Sequence, residues 1–462
     1  MTSTTLPHTA PGTGATASLG ARRRSLFWRI HFWAALIASP FALVATLTGA
    51  LYIFTPQIED QLYGHLERVA APPGAAMLPL DALVAAARKG APGSFEVQSV
   101  VPPAGPQDAL RVSVGPPARA AAGEHAAHMP APRPPSASAP RSADGGKRTV
   151  FVDPYDARVL GTQVDQDCFS EWARRLHSRL LQGESLRWMI ELAASWMLVM
   201  LLTGVYLWWP QPGQPGLPRA GARGRAGWRQ WHAFLGVLLG VLTLVILLTG
   251  ITWSKYAGTQ VRAVRDWAGQ ASPPIPAHLH SMPTGGPQLD YAQAWRRTRA
   301  LVPGVALQLT PPRGPHGVWR AGSADRRHPT DRFDLVLNAY DGRVLYRAGW
   351  ERQTAFGKAT AVGIPFHRGE LGVWNQVLLF VFAAGVLFSP VSGWVMFFKR
   401  RRAGQFGLPK LLAGAWRSAP LWAVVLGIGL CALLPLLALG ALVLVVVEIA
   451  LAKTRPLERA AV

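Results

Sequence analysis

The sequence is poor in cysteine and in acidic residues, and each shortage excludes a class of protein. Its two cysteines, Cys168 and Cys431, are too few among 462 residues for a disulfide framework or a thiolate metal site within one chain. No Cys-x-x-Cys-His sequence is present for covalent attachment of haem. Acidic residues number 25 against 47 Lys and Arg, for a net charge of +22. The basic residues are not interleaved with aromatic ones on a soluble domain, so nucleic acid is not the expected partner.

The sequence contains instead long runs without charge. Four of them approach or exceed the roughly 20 apolar residues that cross a bilayer, namely residues 32–54, 192–209, 231–254 and 371–398. A fifth run, 418–447, contains Pro435 and predicts one further helix or a helical hairpin. The chain is therefore expected to be a multi-pass membrane protein, mainly α-helical and surrounded by lipid.

Many Lys and Arg residues lie beside these runs. They precede the first run, fill the loop between the second and third, and follow the fourth, at Arg22 to Arg24 and Arg29, Arg219 to Arg229, and Lys399 to Arg402. Basic flanks of this kind mark the cytoplasmic side. We therefore expect a multi-pass membrane protein with a cytoplasmic N-terminus and an uncleaved first helix.

The two long stretches left outside the membrane repeat one pattern. The first predicts a helix at 80–89, strands at 95–101 and 109–114, and a hairpin at 150–161, and the second predicts the same order at 289–301, 305–310, 317–321 and 333–346. An Ala/Pro-rich insertion, about 115–147, interrupts the first stretch and is expected to be disordered. It contains His125 and His128, which are minor candidates for a metal site.

These patterns set the expected domain boundaries. The order is a flexible cytoplasmic tail (1–25), transmembrane helix 1 (26–54), a periplasmic α+β domain (55–187), transmembrane helix 2 (188–209), a cytoplasmic loop (210–228), transmembrane helix 3 (229–254), a second periplasmic α+β domain (255–370), transmembrane helix 4 (371–398), a cytoplasmic loop (399–417) and a last helix or hairpin (418–451).

Four histidines are in register with a motif that ends each of the four core helices. The motif is Thr-Gly or Ser-Gly followed by aromatic residues, with its glycine at Gly49, Gly204, Gly250 and Gly393. His31 and His232 each lie 18 residues before a glycine, while His177 and His367 lie 27 and 26 residues before one. The chain therefore resembles a duplication of outward helix, external domain and inward helix, with one histidine at each equivalent place.

Topology then pairs the histidines by depth. Because 18 helical residues rise about 27 Å, His31 and His232 are expected near the cytoplasmic face, and His177 and His367 at the periplasmic face. Two neutral imidazoles that approach one centre suit axial ligation of haem iron. Interfacial side chains or a mononuclear Zn or Fe site are the alternatives. Glu191 is a candidate for hydrogen-bonding a ligand or carrying a proton, and His278 and His280 are minor candidates for substrate contact.

These segments are similar to a known family, the PepSY-associated transmembrane-helix proteins, which include inner-membrane iron-siderophore reductases. The similarity covers about residues 25–402 and is carried by WRIHFW at 28–33, VDPYDARVLG at 152–161, RLHSRLLQG at 175–183, SWMLVMLLTGVYLWWP at 195–210, NAYDGRVL at 338–345 and PFHRGELGVWNQ at 365–376. It departs from the family at the Ala/Pro insertion and at Ala157, where the hairpin usually has glycine. The resemblance implies a protein with two b-type haems and external PepSY domains that reduces ferric siderophores.

The expected reaction is transfer of electrons across the membrane to a periplasmic ferric siderophore or other ferric chelate, with release of Fe(II). The cytoplasmic loops are too short for a flavin or nicotinamide domain, so the electron donor is expected to be a quinol or a separate protein. The alternative is a non-redox siderophore permease or a PepSY binding or regulatory module. A permease would be expected to have broken helices and a central polar site.

Overall fold

The computed structural model describes residues 18–117, 146–181, 183–209, 216–325, 327–401 and 407–454. Most of the N-terminal tail and most of the predicted insertion lie outside these residues, together with His125 and His128. The chain divides into two units. We call residues up to 43, 191–247 and those from 385 onwards the helical unit, and residues 44–190 and 248–384 the sheet unit.

The secondary structure follows the predicted order with four additional helices. The helices are α1 (Leu19–Ile53), α2 (Thr55–Glu67), α3 (Leu80–Lys89), α4 (Phe169–Arg179), α5 (Arg187–Trp208), α6 (Gly224–Leu238), α7 (Gly240–Ile251), α8 (Ala257–Trp267), α9 (Tyr291–Leu301), α10 (Ala355–Arg368), α11 (Val373–Arg400), α12 (Leu421–Leu433) and α13 (Pro435–Thr454). The strands are β1 (Glu96–Val101), β2 (Leu110–Gly115), β3 (Arg148–Val152), β4 (Val159–Val164), β5 (Leu307–Thr310), β6 (Val318–Ser323), β7 (Phe333–Asn338) and β8 (Val344–Gly349). The helices that the sequence did not predict are α2, α4, α8 and α10.

Four helical segments of the described chain are long and apolar enough to cross a membrane. They contain α1, α5, α11 and α13, and the pair α6 and α7 makes a fifth if it is counted as one span. The first, second and fourth predicted transmembrane helices therefore correspond to α1, α5 and α11, each of which is long enough to cross a membrane.

The third predicted helix is bent by 58° between α6 and α7. The break falls at Leu239, next to Gly240, and glycine inside a helix costs roughly 1 kcal/mol relative to alanine. The Leu239 side chain fills the space beside Gly385 of α11 that a larger side chain would occupy. A Cβ on Gly385 would lie only 2.4 Å from Leu239 Cδ1. The bend thus places Leu239 against the backbone of a neighbouring helix in the same unit.

The C-terminal apolar run forms two helices rather than one. α12 ends at Leu433, and Pro435 opens α13, where its missing N–H costs no hydrogen bond. At 13 residues α12 is about 20 Å long, short of the roughly 30 Å hydrocarbon core. Of the two, only α13 has the length of a membrane span.

The two predicted external α+β units share one antiparallel sheet of eight strands. The strand order is β4-β3-β2-β1-β5-β6-β7-β8, and the two halves meet where Val100 of β1 pairs with Leu309 of β5. Helices α3 and α9 contribute to one buried core with alternate residues of the strands. The Asp81 carboxylate of α3 accepts hydrogen bonds from the first two backbone N–H groups of α9, at 2.8 and 3.0 Å.

The closing hairpins of the two halves have the same turn despite the expected departure at Ala157. Ala157 has a φ of +60° and Gly342, at the matching place, a φ of +68°. Asp153 and Asn338 begin the two turns, and each accepts a hydrogen bond from the backbone N–H two residues later, at 2.9 and 2.8 Å. Ala157 therefore keeps the glycine-type backbone at the steric cost of a left-handed alanine.

Candidate functional site

The structure brings the four predicted histidines together in two pairs. In the helical unit, His31 of α1 and His232 of α6 have ring centres 6.4 Å apart and ring planes at 90°. In the sheet unit, His177 of α4 and His367 of α10 have ring centres 6.4 Å apart and planes at 66°. His177 and His367 lie on short helices of their own, which the sequence patterns did not predict.

Every one of these histidines is hydrogen-bonded through Nδ1 to the hydroxyl of a Thr-Gly or Ser-Gly motif. The Nδ1 to hydroxyl distances are 3.0 Å for His31 and Thr203, 3.1 Å for His177 and Thr48, 2.8 Å for His232 and Ser392, and 2.9 Å for His367 and Thr249. The motif that ends each of the four core helices thus also contacts each candidate ligand.

The hydroxyl contacts favour one tautomer of the imidazole rings. Thr203, Thr48 and Ser392 each have a hydroxyl within 2.7–2.9 Å of a carbonyl oxygen of their own helix. When the single hydroxyl proton is donated to that carbonyl, the hydroxyl oxygen accepts from the imidazole Nδ1–H. Nε2 then keeps its lone pair in the neutral ring. Desolvation also lowers the pKa of His177, which favours the neutral form.

The glycines of three motifs give the rings room. A Cβ added to Gly49 or Gly204 would lie 3.3 Å from Cε1 of His177 or His31, and one added to Gly250 would lie 3.4 Å from Cε1 of His367. The two 3.3 Å distances are tighter than ordinary van der Waals contact, and 3.4 Å lies at its lower limit. At Gly393, a Cβ would meet no heavy atom of the described residues within 4 Å. The close approach is therefore a property of three of the four motifs.

The geometry of both pairs fits one metal ion between two imidazoles. Two rings bound on opposite sides of one ion through bonds of about 2 Å have their centres roughly 6 Å apart. The observed 6.4 Å for each pair is close to this value. A metal-ligating histidine normally donates its other N–H to an oxygen acceptor that orients the ring, as the hydroxyls do here. The two imidazoles of each pair are thus the residues that would hold a haem iron.

A buried ion pair lies close to His31 in the helical unit. Arg29, 2% exposed, forms a two-pronged contact with Glu448 of α13, at 2.7 and 3.1 Å. Trp33 Nε1 donates to the same carboxylate, and Arg29 also donates to the carbonyl of Pro409 at 2.6 Å. Buried charges need such complete pairing. This contact attaches α13 to the helix that carries His31, and the sequence analysis did not predict it, since Glu448 directly follows the apolar run 418–447.

Arginines lie close to both histidines of the sheet unit. Arg179 is 2.7 Å from the carboxylate of Glu184. Arg368 follows His367 directly, is 2.8 Å from the Glu370 carboxylate and donates from Nε to the Tyr52 hydroxyl at 3.0 Å. This pair is therefore flanked by two arginine–carboxylate ion pairs.

The other predicted residues are found apart from these pairs. Glu191 is buried, 3% exposed, on α5 of the helical unit, and its role stays a prediction. Cys168 and Cys431 are both unpaired thiols. His278 and His280 lie in the sheet unit between α8 and α9. Among the described residues, no three or more His, Cys, Asp and Glu side chains cluster as a metal site.

The fold and these pairs describe a membrane-type protein with several apolar helices and a large antiparallel sheet. The chain belongs to the family described as the PepSY-associated TM region, whose model matches residues 28–400. All four histidines and their hydroxyl partners fall within the match, whereas α12, α13 and Glu448 lie beyond it. No curated protein matches the chain.

Proposed function

We propose that the protein binds two non-covalent b-type haems, one between His31 and His232 and one between His177 and His367. The observation that carries the proposal is the repeated arrangement in which a hydroxyl contacts Nδ1 of each imidazole. A haem supplies one-electron chemistry when it is bound. The protein contributes the ligands, their orientation and a surrounding of low polarity, which together tune a haem iron.

The proposed activity is electron transfer across the bacterial inner membrane to a ferric siderophore or another ferric chelate outside. Its support is the basic sequence at Arg22 to Arg24, Arg219 to Arg229 and Lys399 to Arg402, which favours a cytoplasmic location for these segments and an external sheet unit. The electron donor is proposed to be a quinol or a separate protein.

A siderophore permease is the second candidate, and the bend between α6 and α7 favours it, because broken helices are typical of transporters. The residues around the break weigh against it. Leu238, Leu239 and Val241 are apolar, and the hydroxyl of Thr243 is 2.9 Å from the Leu239 carbonyl. A transport site would instead need polar groups directed into a central cavity.

Absorption spectroscopy of the purified protein tests the proposal. Protein from haem-replete cells should have a reducible low-spin haem spectrum and two haems per chain. His31→Ala or His232→Ala should remove one haem signal, and His177→Ala or His367→Ala the other. An exposed histidine, His328, provides the control, and His328→Ala should keep both signals. A colourless wild-type preparation would reject the haem proposal and favour the permease or a binding module.

The ferric substrate is tested separately by rapid mixing. Reduced protein should be reoxidised by an added ferric siderophore, with Fe(II) trapped by a chelator. In vesicles of known orientation, only substrate on the side of the sheet unit should react. If every ferric chelate leaves the protein reduced while another acceptor oxidises it, iron reduction is wrong and the electron relay remains.

A further inference from the structure

A third pair of histidines lies in the sheet unit, outside the two pairs described above. His280 lies in the segment between α8 and α9, and His316 in the turn that precedes β6. Their ring centres are 6.5 Å apart with planes at 77°, close to the spacing of the other two pairs. Both side chains are exposed.

Both rings are hydrogen-bonded through Nδ1 to backbone carbonyl oxygens. His280 Nδ1 is 2.8 Å from the carbonyl of His278, and His316 Nδ1 is 3.2 Å from the carbonyl of Ser281. A carbonyl oxygen can only accept, so Nδ1 carries the proton in each ring. The Nε2 lone pair of each neutral ring is then available to a metal, and such Nδ1 to carbonyl bonds commonly set the tautomer of ligating histidines.

The backbone beneath the two rings is fixed to the sheet. Ser281 donates its N–H to the carbonyl of His316 at 3.0 Å, so the two segments are joined by reciprocal bonds. Ser281 is fully buried, and its hydroxyl accepts from the N–H of Ala339 at 2.8 Å. Ala339 directly follows β7. The backbone segments that carry the two imidazoles are therefore fixed to each other and to the residue after β7.

We propose that His280 and His316 form a binding site for one divalent first-row transition-metal ion. Imidazole suits Fe, Ni, Cu and Zn ions, and affinity for such ligands rises towards Cu²⁺. The two Nε2 atoms supply two ligands, and water or a chelating molecule carried by the ion completes the shell. The distance of 6.5 Å between the ring centres suits two imidazoles on opposite sides of one ion. Because both rings are exposed, they also have room to rotate to a smaller nitrogen–metal–nitrogen angle.

The site is independent of the haem proposal, because it uses no residue of the two buried pairs. Fe(II) belongs to the class of ions that it accepts. The Fe(II) released by the proposed reduction is thus one of the metal ions that this site could bind. Each proposal can fail without the other, since metal binding at His280 and haem absorbance are measured separately.

Copper titration of the full-length protein in detergent tests the site. Cu²⁺ binding is measured by calorimetry and by electron paramagnetic resonance, in which nitrogen splitting reports the imidazole ligands. A His125→Ala, His128→Ala background removes the histidines of the insertion from the titration. One tight Cu²⁺ per chain with two nitrogen ligands is expected.

Single variants in that background locate the site. His280→Ala or His316→Ala should weaken Cu²⁺ binding roughly tenfold or more. Loss of a group that only hydrogen-bonds a metal ligand already lowers metal affinity about tenfold, and here the ligand itself is removed. His278→Ala is the matched control and should bind normally, because its backbone carbonyl and not its ring contacts His280. The haem spectrum and circular dichroism of each variant check folding. Unchanged binding in both single variants, or equal loss in His278→Ala, would overturn the proposal.

Discussion

Replacement of Thr203 by valine tests whether the hydroxyl orients the ligand at the helical-unit pair. Valine keeps the shape of threonine but cannot accept the Nδ1 hydrogen bond of His31, which is 3.0 Å long and within the normal range. The ring N–H would then be left without that acceptor inside a packed unit. Such an unsatisfied group costs about 1–3 kcal/mol.

The expected effect is a roughly 10- to 100-fold weaker retention of one haem, the usual result of losing an outer-shell partner. This corresponds to about 1.4–2.7 kcal/mol, in agreement with the cost of the lost hydrogen bond. The midpoint potential of the same haem should rise. A hydrogen bond from Nδ1 makes imidazole a stronger donor that favours ferric iron, so its loss favours the ferrous state.

The assay is haem dissociation to an excess of apomyoglobin, followed by absorbance, together with a redox titration of each haem. Thr203→Ser restores the acceptor and should recover most of the wild-type behaviour. Thr243→Val is the matched control, because the Thr243 hydroxyl is likewise 2.9 Å from a carbonyl of its own helix segment, that of Leu239. The haem of the sheet unit is an internal reference. Unchanged retention and potential in Thr203→Val would refute a ligand-orienting role.

Two further pairs of substitutions follow from the glycines and the hairpin turns. Gly204→Ala should perturb the haem signal of the helical unit, because the new Cβ would lie 3.3 Å from His31 Cε1. Gly393→Ala should leave that signal intact, because a Cβ there meets no described atom within 4 Å. Absorption spectra compare the two variants, and equal effects would contradict the packing argument. Ala157→Gly should stabilise the protein by up to about 1 kcal/mol by relieving the left-handed alanine, and Gly342→Ala should destabilise it, because its φ is +68° and its Cβ would lie 3.1 Å from Leu289 Cδ1. Thermal unfolding measures both changes, and a lower midpoint for Ala157→Gly would be the contrary result.

The pairing of the histidines could be predicted because it depends on register along helices. A fixed offset from a glycine motif sets height within a helix, and His31 and His232 share that offset. The hydroxyl contacts could not be predicted in the same way. Thr203 is 172 residues from His31, and a threonine in a helix commonly bonds its own backbone without any ligand nearby.

The differences from the predicted fold have local physical causes. The helix that carries His177 is short and polar, so no long apolar run revealed it. At the bend, Leu239 packs against Gly385 of another helix, and the apolar pattern of residues 231–254 contains no signal for that contact. The joining of two α+β units into one sheet rests on the pairing of Val100 with Leu309. An edge strand of either unit can accept such a partner without a sequence signal, because backbone groups make the bond.

The hydroxyl partner and the paired ring of each histidine come from different parts of the chain, here called the first half (residues 26–209) and the second half (residues 229–398). In the first half, Thr203 orients His31 and Thr48 orients His177. In the second half, Ser392 and Thr249 orient His232 and His367, in that order. Every hydroxyl therefore comes from the same half as its histidine, whereas each pair takes one histidine from each half. Each half can orient its own imidazoles, but a two-histidine site exists only where both halves meet.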